Sequence, residues 1–370
     1  MMPYSPEAIL ALRIAVGDDP FDANVFTQWQ ASVDLDNLPP GQYALLPLIC
    51  RTLERHAIDH AWLPRLRGFH HKMWYANQLA LRTVAQVAAE SAPDSAPLLL
   101  VGATALATTI YPDVALRPIS PPMLVTSATA AGPTLQTLHQ RGWQPEPAAP
   151  HLLSAEFRRW TPGQRMVNPQ TQAVWLGWHL IPAAPCAELD AACRAAAVPL
   201  PLATSPLTTL CPTDQLLYAC TTASEATLIA LADAVFLLRG AEIEWPRLVE
   251  LAGRYRLALA VLTVLETLVQ ELGLEVPAQV LDALRRLPAS SGERRVQRIL
   301  DQAPATRSLS ERARLLWDRY RRALACNGER PGPRTFAAFL RHDRRLSSAW
   351  EAPLDLARRV VPQETAHGAR

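Results

Sequence analysis

The residues best suited to chemistry stand where a short apolar run gives way to a helical pattern. The run Leu98–Val101 is typical of a buried strand, and Gly102 ends it. Thr104 stands at the start of the next pattern, so backbone N–H groups and a hydroxyl would meet there. Such a junction can cradle an anion. The structural alternatives are a tight turn at Gly102 and a helix N-cap at Thr104.

Arg117 is a second candidate, because its guanidinium can pair with a phosphate, a ligand carboxylate or an acid inside the fold.

Two carboxylates are further candidates for a functional site. Asp113 lies in a Tyr-Pro-Asp turn, where it is best explained as a turn former. Glu156 lies on a segment, residues 152–160, that we predict to be extended. A single carboxylate on a strand is usually just exposed to solvent.

The composition excludes several reaction types. Lys72 is the sole lysine among 36 basic residues, so a Walker phosphate loop cannot exist and a lysine nucleophile would have to be Lys72. His56 and His60 have helical i, i+4 spacing but lack the glutamate of an H-E-x-x-H site. The six cysteines are scattered and form no C-x-x-C pair, and no G-x-S-x-G elbow or dinucleotide fingerprint is present.

The elements that must position these residues follow from periodicity. Apolar spacing predicts helices over residues 42–57 and 69–89. A module of about 110 residues follows, with strands at Leu98–Val101, Met123–Val125, 152–160 and 173–181, and helices at 103–110 and 132–141. From Thr213 onward the patterns are helical again, and Ser308 with Glu311 forms a capping box.

Several motifs resemble the uncharacterised nucleotidyltransferase family of the polymerase-β-like superfamily. LLLVGATAL over residues 98–106, YPDVALRP over 111–118 and MLV at Met123–Val125 are similar to the family's L-L-K-G-A-A-L and Y-x-D-x-x-L-R-P-M-G-D-I-D-L-L-V pattern. RGW at 141–143, the strand at 173–181 and PTDQLLY at 212–218 continue the resemblance, as do LADAVFLLR at 231–239 and the EW pair at 244–245. Together these motifs span roughly residues 40–285.

The resemblance implies an α+β protein that is mostly helical overall, with a nucleotidyltransferase-like mixed sheet flanked by helical regions. We expect an N-terminal helical region at 1–92, the α/β module at 93–205, a helical domain at 206–290, and an Arg-rich helical region with a tail at 291–370. In this superfamily, two carboxylates one residue apart on a strand, with a third from a neighbouring strand, hold two Mg²⁺ ions.

In this sequence, uncharged residues stand where the family pattern has charged ones. Pro121 and Met123 stand at the two aspartates, Gly177 stands at the third carboxylate, and Val101 stands at the phosphate-side lysine. Coding bias from Lys to Arg would have left an arginine at position 101. We therefore predict no catalytic residue and no metal or other cofactor at this site. Mg²⁺ would be the cofactor only if the ligands stand elsewhere.

The framework of the site remains. Gly102, Thr104 and Arg117 keep family positions, and so does His179, which could equally be a histidine satisfied within the core. Our leading hypothesis is a catalytically inactive nucleotidyltransferase-like protein that acts as a binding or scaffolding partner of another protein and could hold a nucleotide or other anion weakly. The enzyme alternative transfers NMP from an NTP to a small-molecule, peptide or protein acceptor.

The charge distribution adds a third hypothesis. Residues 281–370 hold 19 arginines and 10 acids, whereas the other 280 residues carry an excess of seven negative charges. This region could bind nucleic acid or an acidic partner, or its arginines could pair with the acidic body. No targeting signal or membrane span is evident, so we expect a cytoplasmic protein without membrane contact.

Overall fold

The computed structural model describes residues 4–17, 20–91, 97–182, 184–200, 202, 207–223, 228–302 and 306–346. The N-terminal part is helical, as predicted. Its five helices are α1 (Pro6–Val16), α2 (Ala23–Ser32), α3 (Pro40–Tyr43), α4 (Leu46–Arg55) and α5 (Leu63–Glu90). The predicted helix over 42–57 is interrupted between α3 and α4. The long α5 leads into the sheet.

A mixed sheet forms the centre of the molecule. Its strands and the helices between them are β1 (Leu98–Val101), α6 (Ala103–Thr109), β2 (Met123–Val125), α7 (Ala131–Gln140), β3 (Gln144–Pro145), α8 (Ala155–Trp160), β4 (Gly163–Val167), β5 (Ala173–Gly177), α9 (Ala187–Ala195), β6 (Val198–Leu200) and β7 (Leu207–Thr209). The strand order is β3-β4-β5-β2-β1-β7-β6. β1 pairs antiparallel with β2 and parallel with β7, and β2 pairs parallel with β5.

The two faces of this sheet belong to different apolar cores, because successive strand side chains point to opposite sides. Leu98, Leu100 and Leu124 pack with side chains from α5, α7 and α8. Leu99 and Val101 share a larger core with the N-terminal helices and with the helices that follow the sheet. The central strands are therefore covered by helices on both sides.

The rest of the chain is helical. Its helices are α10 (Pro212–Ala223), α11 (Leu228–Gly240), α12 (Trp245–Arg254), α13 (Ala258–Leu272), α14 (Ala278–Arg286), α15 (Ser291–Leu300), α16 (Leu309–Asn327) and α17 (Pro333–Asp343). The last two pack onto the sheet module, since Trp160 of α8 shares a core with Tyr320 and Phe339. The predicted fold class, α+β and mostly helical with a mixed sheet, is confirmed.

One predicted strand is wrong. Residues 152–160 form a short 3₁₀ turn, Pro150–Leu153, and then α8. The hydroxyl of Ser154 accepts a hydrogen bond from the N–H of Phe157 and caps α8, and Phe157 and Trp160 then bury one face of that helix at i, i+3 spacing. Glu156 therefore lies on a helix.

The sheet extends beyond the predicted strands. β4 pairs antiparallel with β5, and β5 ends at Gly177 although the prediction continued it to residue 181. β7 lies just after residue 205, where we placed the end of the module.

The domain division stays a prediction, and the predicted tail lies within 347–370, outside the described residues. Of the described helices, none has the length and apolar character needed to cross a membrane.

Candidate functional site

Three of the four uncharged positions converge on one face of the sheet. Val101 is paired with Met123 across β1 and β2, and Gly177 is paired with Val125 across β2 and β5. Since residues 123 and 125 point to the same side of β2, all of these positions face the same helices. Pro121 precedes β2. The geometry thus brings Val101, Met123 and Gly177 together as the family pattern implies, but without any charged group.

Tyr218 of α10 covers this face. Gly102 has a left-handed backbone with φ +63°, and a Cβ added there would lie 3.2 Å from Cε1 and 3.3 Å from the hydroxyl oxygen of Tyr218. The Tyr218 hydroxyl also lies 3.3 Å from Sδ of Met123 and donates a hydrogen bond to it. The phenol ring therefore fills the space directly above the strand–helix junction.

Thr104 stands inside α6 and does not cap it. Gly102 occupies the N-cap position of α6. The side chain of Thr104 is buried, and its hydroxyl has no hydrogen-bond partner among the described residues. A buried hydroxyl without a partner costs free energy, so this position is held by packing rather than by a polar contact.

The guanidinium of Arg117 pairs with the carboxylate of a residue inside the fold. Its Nε and Nη2 donate to the two carboxylate oxygens of Asp233 on α11 at 2.7 and 2.8 Å. The hydroxyl of Tyr111 donates to the same carboxylate at 2.8 Å. This is the fold-internal pairing that the sequence left as an alternative to a ligand contact. An anion at Arg117 would have to displace Asp233.

His179 follows β5 by two residues and contacts two side chains that the sequence analysis did not single out. Its Nδ1 lies 2.7 Å from Oδ2 of Asp190, and its Nε2 lies 3.8 Å from Sγ of Cys326 on α16. Burial disfavours the charged ring, but the contacts with Asp190 and Cys326 outweigh it and raise the pKa of His179 to about 9. The imidazole is therefore an imidazolium at neutral pH.

The residues present do not fit a pair of Mg²⁺ ions. Mg²⁺ prefers oxygen ligands in octahedral geometry, whereas Met123 offers a soft thioether and Pro121 and Gly177 offer no side-chain oxygen. Across the described part of the chain, no group of three or more His, Cys, Asp and Glu side chains is arranged to hold a metal ion.

The two acids considered from the sequence have other partners. Asp113 accepts a hydrogen bond from the N–H of Ala115 and lies 3.3 Å from Nε2 of His70. Glu156 lies 3.7 Å from Nη1 of Arg341 on α17. Each of them supports local structure where it stands.

The mixed sheet enclosed by helices, with the strand–glycine–helix junction between β1 and α6, makes this an α+β protein. The chain belongs to the uncharacterised nucleotidyltransferase family, whose model matches residues 42–273. No curated protein and no solved structure matches the chain. The family resemblance predicted from the sequence is thereby confirmed.

The family match stops before α14, so the last four helices lie outside it. His179 and Asp190 are within the matched range, whereas Cys326 comes from the part beyond it. No local sequence signal could have paired Cys326 with His179, because 147 residues separate them. Tyr218 was visible at the end of the PTDQLLY motif, but its position above Gly102 depends on how α10 packs.

A large cavity lies between α13, α15 and α16. It has a volume of about 540 Å³ and an apolar floor that includes Leu257, Val296 and Leu315. Six arginines and two carboxylates line it, an excess of four positive charges: Arg256, Arg307, Arg312, Arg319, Arg322, Arg344, Glu293 and Asp318. Its chemistry suits an anionic ligand with an apolar part.

Proposed function

We propose that this chain keeps the nucleotidyltransferase fold, does not catalyse metal-dependent nucleotidyl transfer, and acts as a binding or scaffolding protein. The observation that carries the proposal is the position of Tyr218. Its ring lies over Gly102 and its hydroxyl contacts Met123, where the family pattern would place an anion cradle beside a metal-binding carboxylate.

The side chains missing here are the carboxylates and the lysine without which metal-dependent nucleotidyl transfer does not proceed. Two Mg²⁺ ions activate the attacking oxygen and neutralise the developing charge on the triphosphate, and carboxylates hold them. Val101 is buried within the apolar core where the family has a lysine. Met123 and Gly177 supply no ligand oxygen from their side chains. A triphosphate at this face would therefore meet apolar side chains and a phenol.

The test is an assay of pyrophosphate release with Mg²⁺ or Mn²⁺, the four NTPs, and small-molecule, peptide and protein acceptors. We expect no release above the rate without protein. Tyr218→Ala serves as a second variant, because it opens the space above Gly102 without adding a ligand oxygen, and it should be equally inactive. Metal-dependent turnover by the wild-type chain would contradict the proposal and support the enzyme alternative.

The Arg-lined cavity supports a second candidate function, the binding of an acidic partner. Its arginines are partly neutralised: Arg322 pairs with Asp318 at 2.8 Å, and Arg256 lies 3.6 Å from Glu293. Arg319 pairs with Asp343 of α17. Positive charge remains in excess around an apolar floor. An acidic peptide segment with apolar side chains matches this combination better than a nucleic acid, whose affinity rests mainly on its phosphates.

Fluorescence anisotropy with a labelled peptide of Glu and Leu residues tests this binding. We expect affinity that falls as salt rises, and Arg312→Glu should weaken it by about tenfold. Arg286→Glu is the matched control, since Arg286 is exposed on α14 and does not line the cavity. Equal loss in both variants would contradict the cavity as the binding site. Binding of a labelled single-stranded oligonucleotide in place of the peptide would support the nucleic-acid alternative.

A further inference from the structure

Cys326, His179 and Asp190 form a chain of contacts that the proposed function does not use, and of the three only His179 stands at a family position. Sγ of Cys326 lies 3.8 Å from Nε2 of His179, and Nδ1 of the same ring lies 2.7 Å from Oδ2 of Asp190. The other carboxylate oxygen of Asp190 accepts the backbone N–H of Leu180 at 2.8 Å. The carboxylate of Asp190 thus contacts one nitrogen of the imidazole, and the sulfur of Cys326 contacts the other.

This order of groups is that of an activated nucleophile. A thiol needs a neighbouring histidine to favour the thiolate, and that histidine needs a third group that fixes its ring. The three side chains do not converge on a common point, because sulfur and carboxylate contact opposite nitrogens of the ring. The arrangement therefore fits proton transfer along a line and does not fit a shared metal ion.

Cys326 lies at a second cavity, which shares Arg319 with the larger Arg-lined one. Cys326 and His179 both line a cavity of about 260 Å³. Trp160, Phe339 and Ala323 supply apolar walls. Cys326 is half-buried, whereas Cys50, Cys193 and Cys220 are buried. The cavity is large enough for a small acyl group and apolar enough to hold it.

Charged groups surround the ring from several elements. Asp190 comes from α9 and Cys326 from α16, while Arg159 of α8, Arg319 of α16 and Asp343 of α17 also line the cavity. Arg159 pairs with Glu329, and Arg319 pairs with Asp343. Both guanidinium groups are therefore paired with an acid, and the ring of His179 is the cationic group in contact with the sulfur.

Cys326 lies in the last turn of α16, where the unpaired carbonyl groups of a helix disfavour negative charge. The contact with His179 brings a cationic ring to the sulfur at this end of the helix. No second cysteine is among the described residues that line the cavity, so nothing there could resolve a mixed disulfide. This favours acyl chemistry over thiol–disulfide exchange.

We infer that Cys326, His179 and Asp190 form an acyl-transfer site that takes a small acyl group from a thioester. The thiolate of Cys326 attacks the carbonyl carbon, the carbon–sulfur bond to the leaving thiol breaks, and that thiolate takes the proton from Nε2 of His179. An amine then attacks the acyl-cysteine, its proton passes to Nε2, and the thiolate of Cys326 leaves. Asp190 is a positioning residue in both steps.

The first experiment needs no variant. The folded wild-type chain is treated with phenyl thioacetate at about pH 7, and acetyl groups are located by peptide mass spectrometry. Cys186 and Cys211 are the internal controls, because both are half-buried thiols. We expect Cys326 to be acetylated at least about tenfold faster than either control. Equal rates at the three cysteines would overturn the inference, and so would fast alkylation of Cys326 by iodoacetamide without acetylation.

Variants then assign the roles. His179→Gln should lower acetylation of Cys326 to the rate of the controls, while Cys186→Ser should leave it unchanged. Asp190→Asn should shift the pH at which alkylation of Cys326 is half-maximal, which a purely structural carboxylate would not do. Thermal unfolding of each variant shows whether it remains folded. Unchanged acetylation in folded His179→Gln would contradict the assignment of His179.

Discussion

At the scale of single residues, Arg117 and His179 both pair with carboxylates inside the fold, although they stand at positions where the family pattern implies ligands. Arg117 is the clearest case, because both of its donor groups facing Asp233 are engaged and the pair is almost inaccessible, with side-chain exposures of 11% and 4%. Removing one partner of such a pair leaves a buried charge without compensation. The pair can therefore be tested as a structural element.

Asp233→Leu should lower the free energy of unfolding by about 3–5 kcal/mol, because it strands the guanidinium of Arg117 and the hydroxyl of Tyr111. The double variant Arg117→Met with Asp233→Leu should recover at least about 2 kcal/mol of that loss, since no buried charge remains. Urea denaturation measures both. Asp282→Ala, which breaks the exposed pair with Arg285, is the control and should cost less than about 1 kcal/mol. Additive losses in the double variant would contradict this account.

His179 makes stability depend on pH. Its pKa is raised to about 9 in the folded chain, against an ordinary value of 6.5, so the folded state binds its proton more tightly. The stabilisation is complete below about pH 6.5 and is lost as pH rises through about 9, at most about 3 kcal/mol in total. Urea midpoints between these pH values should fall more steeply for the wild type than for His179→Gln.

The comparison with His179→Gln is needed because other groups act in the same direction. Burial raises the pKa of the Cys50 thiol to about 11 and that of the Cys220 thiol to about 12. Their ionisation in the unfolded chain also lowers stability at alkaline pH. Equal pH slopes in wild type and variant would show that the thiols, and not His179, set the dependence.

At the scale of elements, local patterns predicted most of the helices and the central strands. The capping box of Ser308 and Glu311 is confirmed, and β1 and β2 have the predicted bounds. A second capping box, Ser290 with Glu293, begins α15. The same spacing rule would have found it.

Other elements could not be predicted from short sequence patterns. The segment at 152–160 contains closely spaced apolar residues that fit a strand as well as a helix, and only the cap at Ser154 and the packing of Phe157 and Trp160 decide between them. The strand β7 is three residues long, and its pairing with β1 depends on residues more than a hundred positions apart. The contacts of Cys326 with His179 and of Tyr218 with Met123 also join residues far apart in sequence, so no local pattern could predict them.

Trp160 joins the last two helices to the sheet module, because it shares a core with Tyr320 of α16 and Phe339 of α17. Trp160→Ala should cost about 3–5 kcal/mol of local stability and speed amide hydrogen exchange in α16 and α17 more than in α10. Trp317→Ala is the matched control, since Trp317 lies on α16 but is 42% exposed. Uniform acceleration across all helices would contradict a local docking role.

At the scale of the whole molecule, the family frame and the Arg-rich region form one structure. The family match covers the sheet and the helices from α4 to α13, and α16 then brings Cys326 back to His179 beside that sheet. The excess positive charge that the sequence placed at 281–370 lines a cavity together with residues of the helical domain. The composition predicted the charge, whereas only the packing reveals the concave surface.

The central claim is that the nucleotidyltransferase face no longer binds the metal pair of the reaction. Electron paramagnetic resonance of Mn²⁺ tests it most directly, because bound ions lose the signal of the free hydrated ion. Titration of the chain into Mn²⁺, with and without ATP, should leave the free signal equal to that of the same solution without protein. A saturable loss of signal corresponding to one or two ions per chain would contradict the claim.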